Sequence, residues 1–427
     1  MSTPPTGELA APPLIRSRFF LAFWTGQSIS QLGVQLGQLA LPVLAVSLLG
    51  AGEMDLGVLN AASMAAFLIV GLPAGAWVDR WLKRATMIRA DLVRMTAMSA
   101  VPLLWWTGAL QMWHLYVVAA VVGVATVFFD VAYQSYIPLL VDRSQVADAN
   151  GKLEATAQVA RMGGPALGGF LLTLVSAPVL FAAEAGGYLA SALCLGRVRD
   201  SEKRPERIAG SSLWAEIREG TIFVARHPLI RRVVACTAIS NLFSSILWVL
   251  MPLIILRELA LGPVGLGVMM SIGAVGGLLG ALAGPRLGRL VGEGPLLPLG
   301  LLLAGAAVVL FPLALAAGPG PLALALLSVG EFAFSFGVVV YNIMQVSMRQ
   351  RVCPPRLLGR MNASIRCVVW GVMPIGSLVG GVLGERLGIA PALWISIVGM
   401  ILCVLPVAIG PFFGMRTLPD AAEVRED

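Results

Sequence analysis

The strongest constraint on this chain is that its charges are confined to the gaps between long apolar runs. Twelve runs of membrane-crossing length, about 20 residues or more each, lie at 18–48, 56–78, 87–108, 113–138, 149–175, 178–197, 231–257, 264–285, 295–316, 321–347, 362–384 and 390–413. A charge at the bilayer centre costs about 2.5–3.5 kcal/mol even on the mildest scale, so the runs cross a membrane and the charged gaps meet water. Of 427 residues, 58% are hydrophobic and only 12% are charged, against roughly 25% charged in soluble domains. The expected fold class is an all-α membrane protein of about twelve transmembrane helices.

Charge placement sets the orientation. Among the 30 Lys and Arg residues, only Arg257 and Arg386 fall in loops on the outer side. Basic residues stay with cytoplasmic loops, so a cytoplasmic (inner) membrane with both chain ends in the cytoplasm is expected. The net charge of +7 then reports topology and implies no nucleic-acid partner. The first run is far longer than the roughly 7–15 apolar residues of a signal peptide and lacks a cleavage site, so it reads as a retained helix. Cys194, Cys236, Cys353, Cys367 and Cys403 form neither a disulfide framework nor a metal spacing. His114 and His227 stand alone. No metal and no cofactor are expected.

The chain repeats itself. An offset of 210 places Leu41-Pro42 on Met251-Pro252 and Leu56-Gly57-Val58 on Leu266-Gly267-Val268; an offset of 212 places Gly164 on Gly376 and Gly168-Gly169 on Gly380-Gly381. Two six-helix bundles are therefore expected at 17–197 and 231–414, with a tail at 1–16, a linker at 198–230 and a second tail at 415–427. Within the linker, Leu213, Trp214, Ile217, Ile222 and Phe223 alternate with charged residues, as in an amphipathic helix lying on the membrane surface.

Between the second and third runs stands Gly75-Ala-Trp-Val-Asp79-Arg80-Trp-Leu-Lys83-Arg84. An acid and three bases at that position belong at a water interface. The spacing resembles the signature loop of the major facilitator superfamily, secondary transporters built from two pseudo-symmetric six-helix bundles. Leu82 stands where that family often has a second glycine, which resembles the branch of enterobactin exporters and macrolide efflux pumps. Gly163-Gly-Pro-Ala-Leu-Gly-Gly169 resembles the antiporter motif of its exporters. The resemblance implies the major facilitator fold, a substrate site between the bundles near the midplane, drug:proton antiport, and gate roles for Asp79 and Arg80.

Polar residues inside the runs mark candidate sites. The first run carries Gln27, Gln31, Gln35 and Gln38, with Trp24 on the same face, since offsets of 4, 4 and 3 keep one side of a helix. Thr237, Asn241, Ser245 and Trp248 repeat those offsets in the seventh run. Such stripes line a cavity or glue helices together, because amides facing lipid go unsatisfied. The tenth run adds Glu331, Phe332, Asn342 and Gln345. Glu331 near mid-membrane is the first proton-coupling candidate and Glu184 the second, with a structural acid as the other reading. Arg161, deep in the fifth run, requires an acid partner (Glu154 or Glu331) or a substrate anion. Asp91, Arg94, Asp130 and Arg366 lie toward the cytoplasmic ends and, with Gly75, Asp79, Arg80, Lys83 and Arg84, read as a gate. Gly164, Pro165, Gly168, Gly169, Gly376 and Gly380 read as a helix-packing seam.

The expected function is secondary active export of a bulky, partly apolar small molecule, such as a drug, siderophore or secondary metabolite, by alternating access in exchange for protons. The alternative is a solute importer or a lipid flippase of the same fold. The chain has no phosphate-binding G-x-x-x-x-G-K-S/T loop and no clustered nucleophile or metal set, so neither an ATP-driven pump nor an enzyme is expected. The expected partners are the small-molecule substrate, protons and the lipid bilayer, with the protein a monomer.

Overall fold

The computed structural model describes residues 14–142, 145–198, 202, 213–354 and 357–418, and every regular element among them is helical. The first bundle comprises α1 (Arg18–Leu48), α2 (Glu53–Ile69), α3 (Gly71–Asp79), α4 (Lys83–Trp106), α5 (Met112–Leu140), α6 (Val146–Leu171) and α7 (Ala177–Arg197). The linker contributes α8 (Leu213–Arg226). The second bundle comprises α9 (Pro228–Glu258), α10 (Gly262–Val291), α11 (Leu296–Ala317), α12 (Pro321–Val352), α13 (Leu358–Leu387) and α14 (Ile389–Ala408). Because α2 and α3 are two pieces of one crossing, these elements make twelve passes. Leu14, Leu418 and helix α8 lie at one end of the bundle, called here the basic end; the other is the distal end.

Nine passes among the described residues are long and apolar enough to cross a membrane on composition alone. The other three carry the breaks and the charges. The second pass is interrupted at Val70, α4 holds Lys83, Arg84, Arg89, Asp91 and Arg94, and α6 holds Asp148, Lys152, Glu154 and Arg161. The repeat is visible in the backbone. Pro42 in α1 and Pro252 in α9 lack an N–H, and each is followed by a turn of wide π-helix, Leu44–Leu48 and Ile254–Glu258.

The signature loop closes the second pass through side-chain caps. The Lys83 ammonium donates to the carbonyls of Val78 (2.7 Å) and Trp81 (3.2 Å) at the end of α3. Arg84 donates through Nε to Leu195 and through Nη2 to Gly196, both 2.8 Å, at the end of α7. Helix C-termini leave unsatisfied carbonyls that cations complement. Lys83 is consequently buried, not presented to solvent as a gate.

At the distal half the bundles meet through glycines on α2 against α13 and on α6 against α10. A Cβ on Gly57 would stand 2.8 Å from the Ser377 carbonyl, and one on Gly169 would stand 2.7 Å from the Pro263 carbonyl. Arg257 pairs there with Glu53, and the Ala166 amide donates to Ser271 Oγ at 3.0 Å. The linker helix expected from the alternating apolar and charged residues is present at Leu213–Arg226 and also meets the second bundle. Glu219 pairs with Arg360 and the Thr221 hydroxyl meets Ser364 at 3.3 Å, so α8 clasps the start of α13. Direct packing on protein offers it partners for polar groups as well as apolar ones.

Candidate substrate cavity and its gates

A cavity of about 420 Å³ lies between the bundles just below the distal closure. From one side it is lined by Gln38, Asn60 and Ser63, and from the other by Ser245, Trp248 and Ser377. Met64, Met251, Met270 and Met373 complete the wall, and among the described residues no charged side chain lines it. Its size fits small-molecule sites, which run about 300–1,000 Å³. Thioether side chains adapt to cargo of varied shape. The π turns after Pro42 and Pro252 close the distal side, because both prolines also line this space.

Toward the basic end two further cavities, about 240 and 390 Å³, share Asp130 and Gln134. The smaller is bounded by Trp24, Gln27, Gln31, Glu154 and Arg161, and the larger by Asn362, Arg366 and Trp370. Between this vestibule and the central cavity the Phe67 and Trp370 rings meet edge to face, with centroids 5.1 Å apart. The two tryptophan-side helices are those that carry the neighbouring cavity residues, Ser63 and Met64 on α2 and Met373 on α13. The pair is therefore an aromatic constriction that sequence reasoning missed. Asp130 and Arg366 face one another across the vestibule, with no ion pair between them among the described residues.

The polar stripes divide between cavity and glue. Gln31 and Gln38 face open space, whereas Gln27 donates to Ser191 on α7 at 3.0 Å and Gln35 packs under Gly164. In α9, Ser245 and Trp248 reach the cavity. Thr237 instead meets the Tyr341 hydroxyl at 2.6 Å, and Asn241 donates to the Val369 carbonyl at 2.9 Å. Gln345 is buried and donates to Asn342 at 3.3 Å. Phe332 turns its backbone onto Gly276 of α10 and is absent from the cavity wall.

The charged candidates are placed in three settings. Arg161 is exposed and lines the vestibule together with Glu154. Glu331 is 3% exposed and faces away from the cavity, accepting from Ser335 Oγ at 2.9 Å; a Cβ on Gly273 would stand 2.8 Å from its Oε1. No cation pairs with it among the described residues. Asp91 and Arg94 were expected at the gate and lie instead within the first bundle, paired with each other beneath Glu184 of α7. Position along the run fixed their depth but not the neighbours that they meet. Gly75 and Asp79 sit in α3, but the Asp79 side chain lies outside the described residues, and Arg80 is exposed at the end of that helix. Gly164 and Gly168 pack on α1, and Gly376 and Gly380 on α9, each within its own bundle. Of the seam residues expected from the sequence, Gly169 and Pro165, whose carbonyl Gly267 approaches, are the two that belong to the contact between bundles. A lateral groove of about 460 Å³ between Trp81, Arg89 and Phe128 was not anticipated from the sequence.

Comparison with known proteins gives consistent matches over the whole architecture. A family profile described as transmembrane secretion effector matches residues 9–421. The multidrug efflux pump Tap of Mycolicibacterium fortuitum is 25% identical over 79% of this chain and 82% of its own length. Macrolide efflux protein A of Streptococcus pyogenes is 22% identical over 90% of this chain and 94% of its own. Among solved structures, a bacterial homologue of the iron transporter ferroportin in its inward-facing state superposes with a TM-score of 0.73 at 16% identity, covering 92% of this chain and 98% of that one. The outward-facing form of a bacterial ferroportin homologue gives 0.57 at 17% identity, covering 91% and 98%.

Proposed function

We propose that this chain, which belongs to the transmembrane secretion effector family of the major facilitator superfamily, exports a bulky, partly apolar small molecule in exchange for protons. The observation that carries this reading is the uncharged, methionine-rich cavity between the bundles. A cavity without an inward cation suits neither a phosphate nor a dicarboxylate, and four thioethers with one indole suit a large apolar body with a few polar groups. The named efflux pumps among its relatives agree with this class of cargo.

The conformation supports alternating access. Glycine contacts and the Arg257–Glu53 pair seal the distal end, while the vestibule parts the bundles toward the basic end. Basic loops stay in the cytoplasm, so the arrangement is inward-open, in keeping with the better superposition on the inward-facing homologue. Cargo enters past Asp130 and Arg366, passes the Phe67–Trp370 constriction and rests against Trp248. Closure of the inner side then brings Asp130 toward Arg366.

The test uses everted vesicles energised to an inside-acid gradient, given macrolides, tetracyclines and cationic dyes in turn. Dissipation of the gradient by one compound class, lost in Trp248→Ala, supports proton-coupled export through this cavity. Failure of every compound with folded protein present sinks the exporter reading and turns the search to import or to lipid translocation.

A further inference from the structure

The first bundle contains a charged cluster that the substrate cavity does not use. Asp91 is 0%, Arg94 4% and Glu184 3% exposed. Arg94 pairs with Asp91 and lies sandwiched between two rings, 4.1 Å from the Phe129 centroid and 4.4 Å from that of Tyr188. The Tyr188 hydroxyl donates to Glu184 Oε1 at 2.8 Å. Three polar atoms of the cluster remain buried without a partner among the described residues: Asp91 Oδ2, Arg94 Nε and Glu184 Oε2. Arg94 thus meets Asp91 directly and faces Glu184 across the Tyr188 ring, so its charge acts on both carboxyls.

Charge counting decides the protonation of this cluster. Two carboxyls and one guanidinium would leave a net negative charge buried in the membrane, which is costly unless one carboxyl keeps its proton. Among the described residues, the other groups facing it add no cation and one further acid, Asp130, so the balance stays on the negative side. Helix α1 brings Gln27 and Gly37, and α7 brings Tyr188 and Ser191. From α5 the nearest charge is Asp130, beyond Phe129 and on the vestibule. The cluster occupies the middle of the membrane, with its two acids at different depths. Asp91 is roughly 12 Å from the basic end of α4 and Glu184 roughly 10 Å from the distal end of α7, at about 1.5 Å per residue. Ser191 stands beside Asp91 and accepts from Gln27, which lines the vestibule.

We propose that Asp91, Arg94 and Glu184 form a proton-binding site inside the first bundle, behind α1 and apart from the substrate cavity, holding one exchangeable proton between the two carboxyls. With Arg94 paired to Asp91, the proton belongs to Glu184. When the Glu184 carboxyl gives up its proton and the Asp91 carboxylate takes one, the guanidinium changes partner and the net charge is conserved. Glu184 is the group nearer the distal side, and Asp91 the group nearer the vestibule through Ser191 and Gln27. The role of this site in transport rests on the proton-exchange reading above; its existence does not.

The experiment is infrared spectroscopy of the purified, substrate-free protein across a pH series, following the carbonyl stretch of protonated carboxyls. Glu184→Gln removes one such band, because its proton site is gone. Asp91→Asn removes the same band, because Glu184 then ionises to satisfy Arg94. Glu331→Gln leaves it in place, and Glu184→Asp keeps a shifted band, which guards against a loss caused by misfolding. A band untouched by Glu184→Gln, or kept in Asp91→Asn, overturns the shared-proton site. In vesicles, Glu184→Gln is expected to abolish gradient-driven transport and retain substrate counterflow. Gradient-driven transport surviving in that variant overturns the coupling role. If the bands behave as stated and wild-type vesicles show no gradient-driven transport, the proton site stands and the proton-exchange reading fails.

Discussion

Glu184 and Glu331 are both buried glutamates in transmembrane helices, and their surroundings differ in kind. Around Glu184 the helices supply a tyrosine hydroxyl at 2.8 Å and a guanidinium one ring away. Around Glu331 they supply a serine hydroxyl at 2.9 Å and a glycine, with no cation paired to it among the described residues. In each case a glycine on a facing helix makes room for the carboxyl, Gly37 on α1 and Gly273 on α10. The same device therefore serves two chemistries. A carboxyl near a cation can exchange its proton at little cost in buried charge, whereas one without a cation is held neutral by the membrane.

The comparison can be broken first at Arg94. Arg94→Ala strands Asp91, and loss of one partner of a buried pair costs about 3–5 kcal/mol. A large drop in the thermal unfolding midpoint of the purified protein is expected, with partial recovery when Asp91→Asn is added. An unchanged midpoint would put the pair in contact with water. A smaller effect sharpens the other side. In Gly273→Ala the new methyl would meet the Glu331 side chain, and overpacking of this kind costs about 1–3 kcal/mol. Combining it with Glu331→Ala should relieve the cost, and failure to do so would show that the strain lies elsewhere.

A third carboxylate calibrates the pair at the water interface. Glu293 accepts from both Arg351 nitrogens, at 2.7 and 2.9 Å, and from the Leu418 amide at 3.0 Å. The hydrogen bond from Arg351 holds its carboxyl below the usual range. A depressed folded value contributes stability that is present above the ordinary carboxylate range and lost as pH falls through the folded value. With side chains 39% and 23% exposed, the pair is worth roughly 0.2–1 kcal/mol. Protease cutting after Leu418 should quicken in acid in the wild type and lose that dependence in Glu293→Gln. Smallest of all is Glu331→Gln, which keeps the Ser335 contact and adds no charge; a stability change within about 0.5 kcal/mol is expected. A loss comparable to that of Arg94→Ala would reveal a hidden cation and erase the contrast.

The fold was legible because its cause is one-dimensional. Run length against bilayer thickness predicts the passes, and an offset of 210 predicts that Pro42 and Pro252 break their helices alike, as the two π turns show. The site was legible in part. Gln38, Ser245 and Trp248 do line the central cavity, yet Thr237 and Asn241, on the same predicted face, bind neighbouring helices. A helix face is wide enough to meet both a cavity and a packed neighbour, so periodicity alone does not separate them. The Phe67–Trp370 constriction carries no sequence signal, since aromatic residues are ordinary in apolar runs.

By itself the sequence determined the number and order of the passes and the kinship of the two bundles. Those follow from where charge and apolar length fall along the chain. The tertiary structure alone decided which polar residues meet. Gln27 finds Ser191, Arg94 comes to lie against Tyr188, and Glu331 finds no cation among the described residues, because contacts between helices remote in sequence are set by how twelve cylinders pack. Nothing in the spacing along any one of them records that choice.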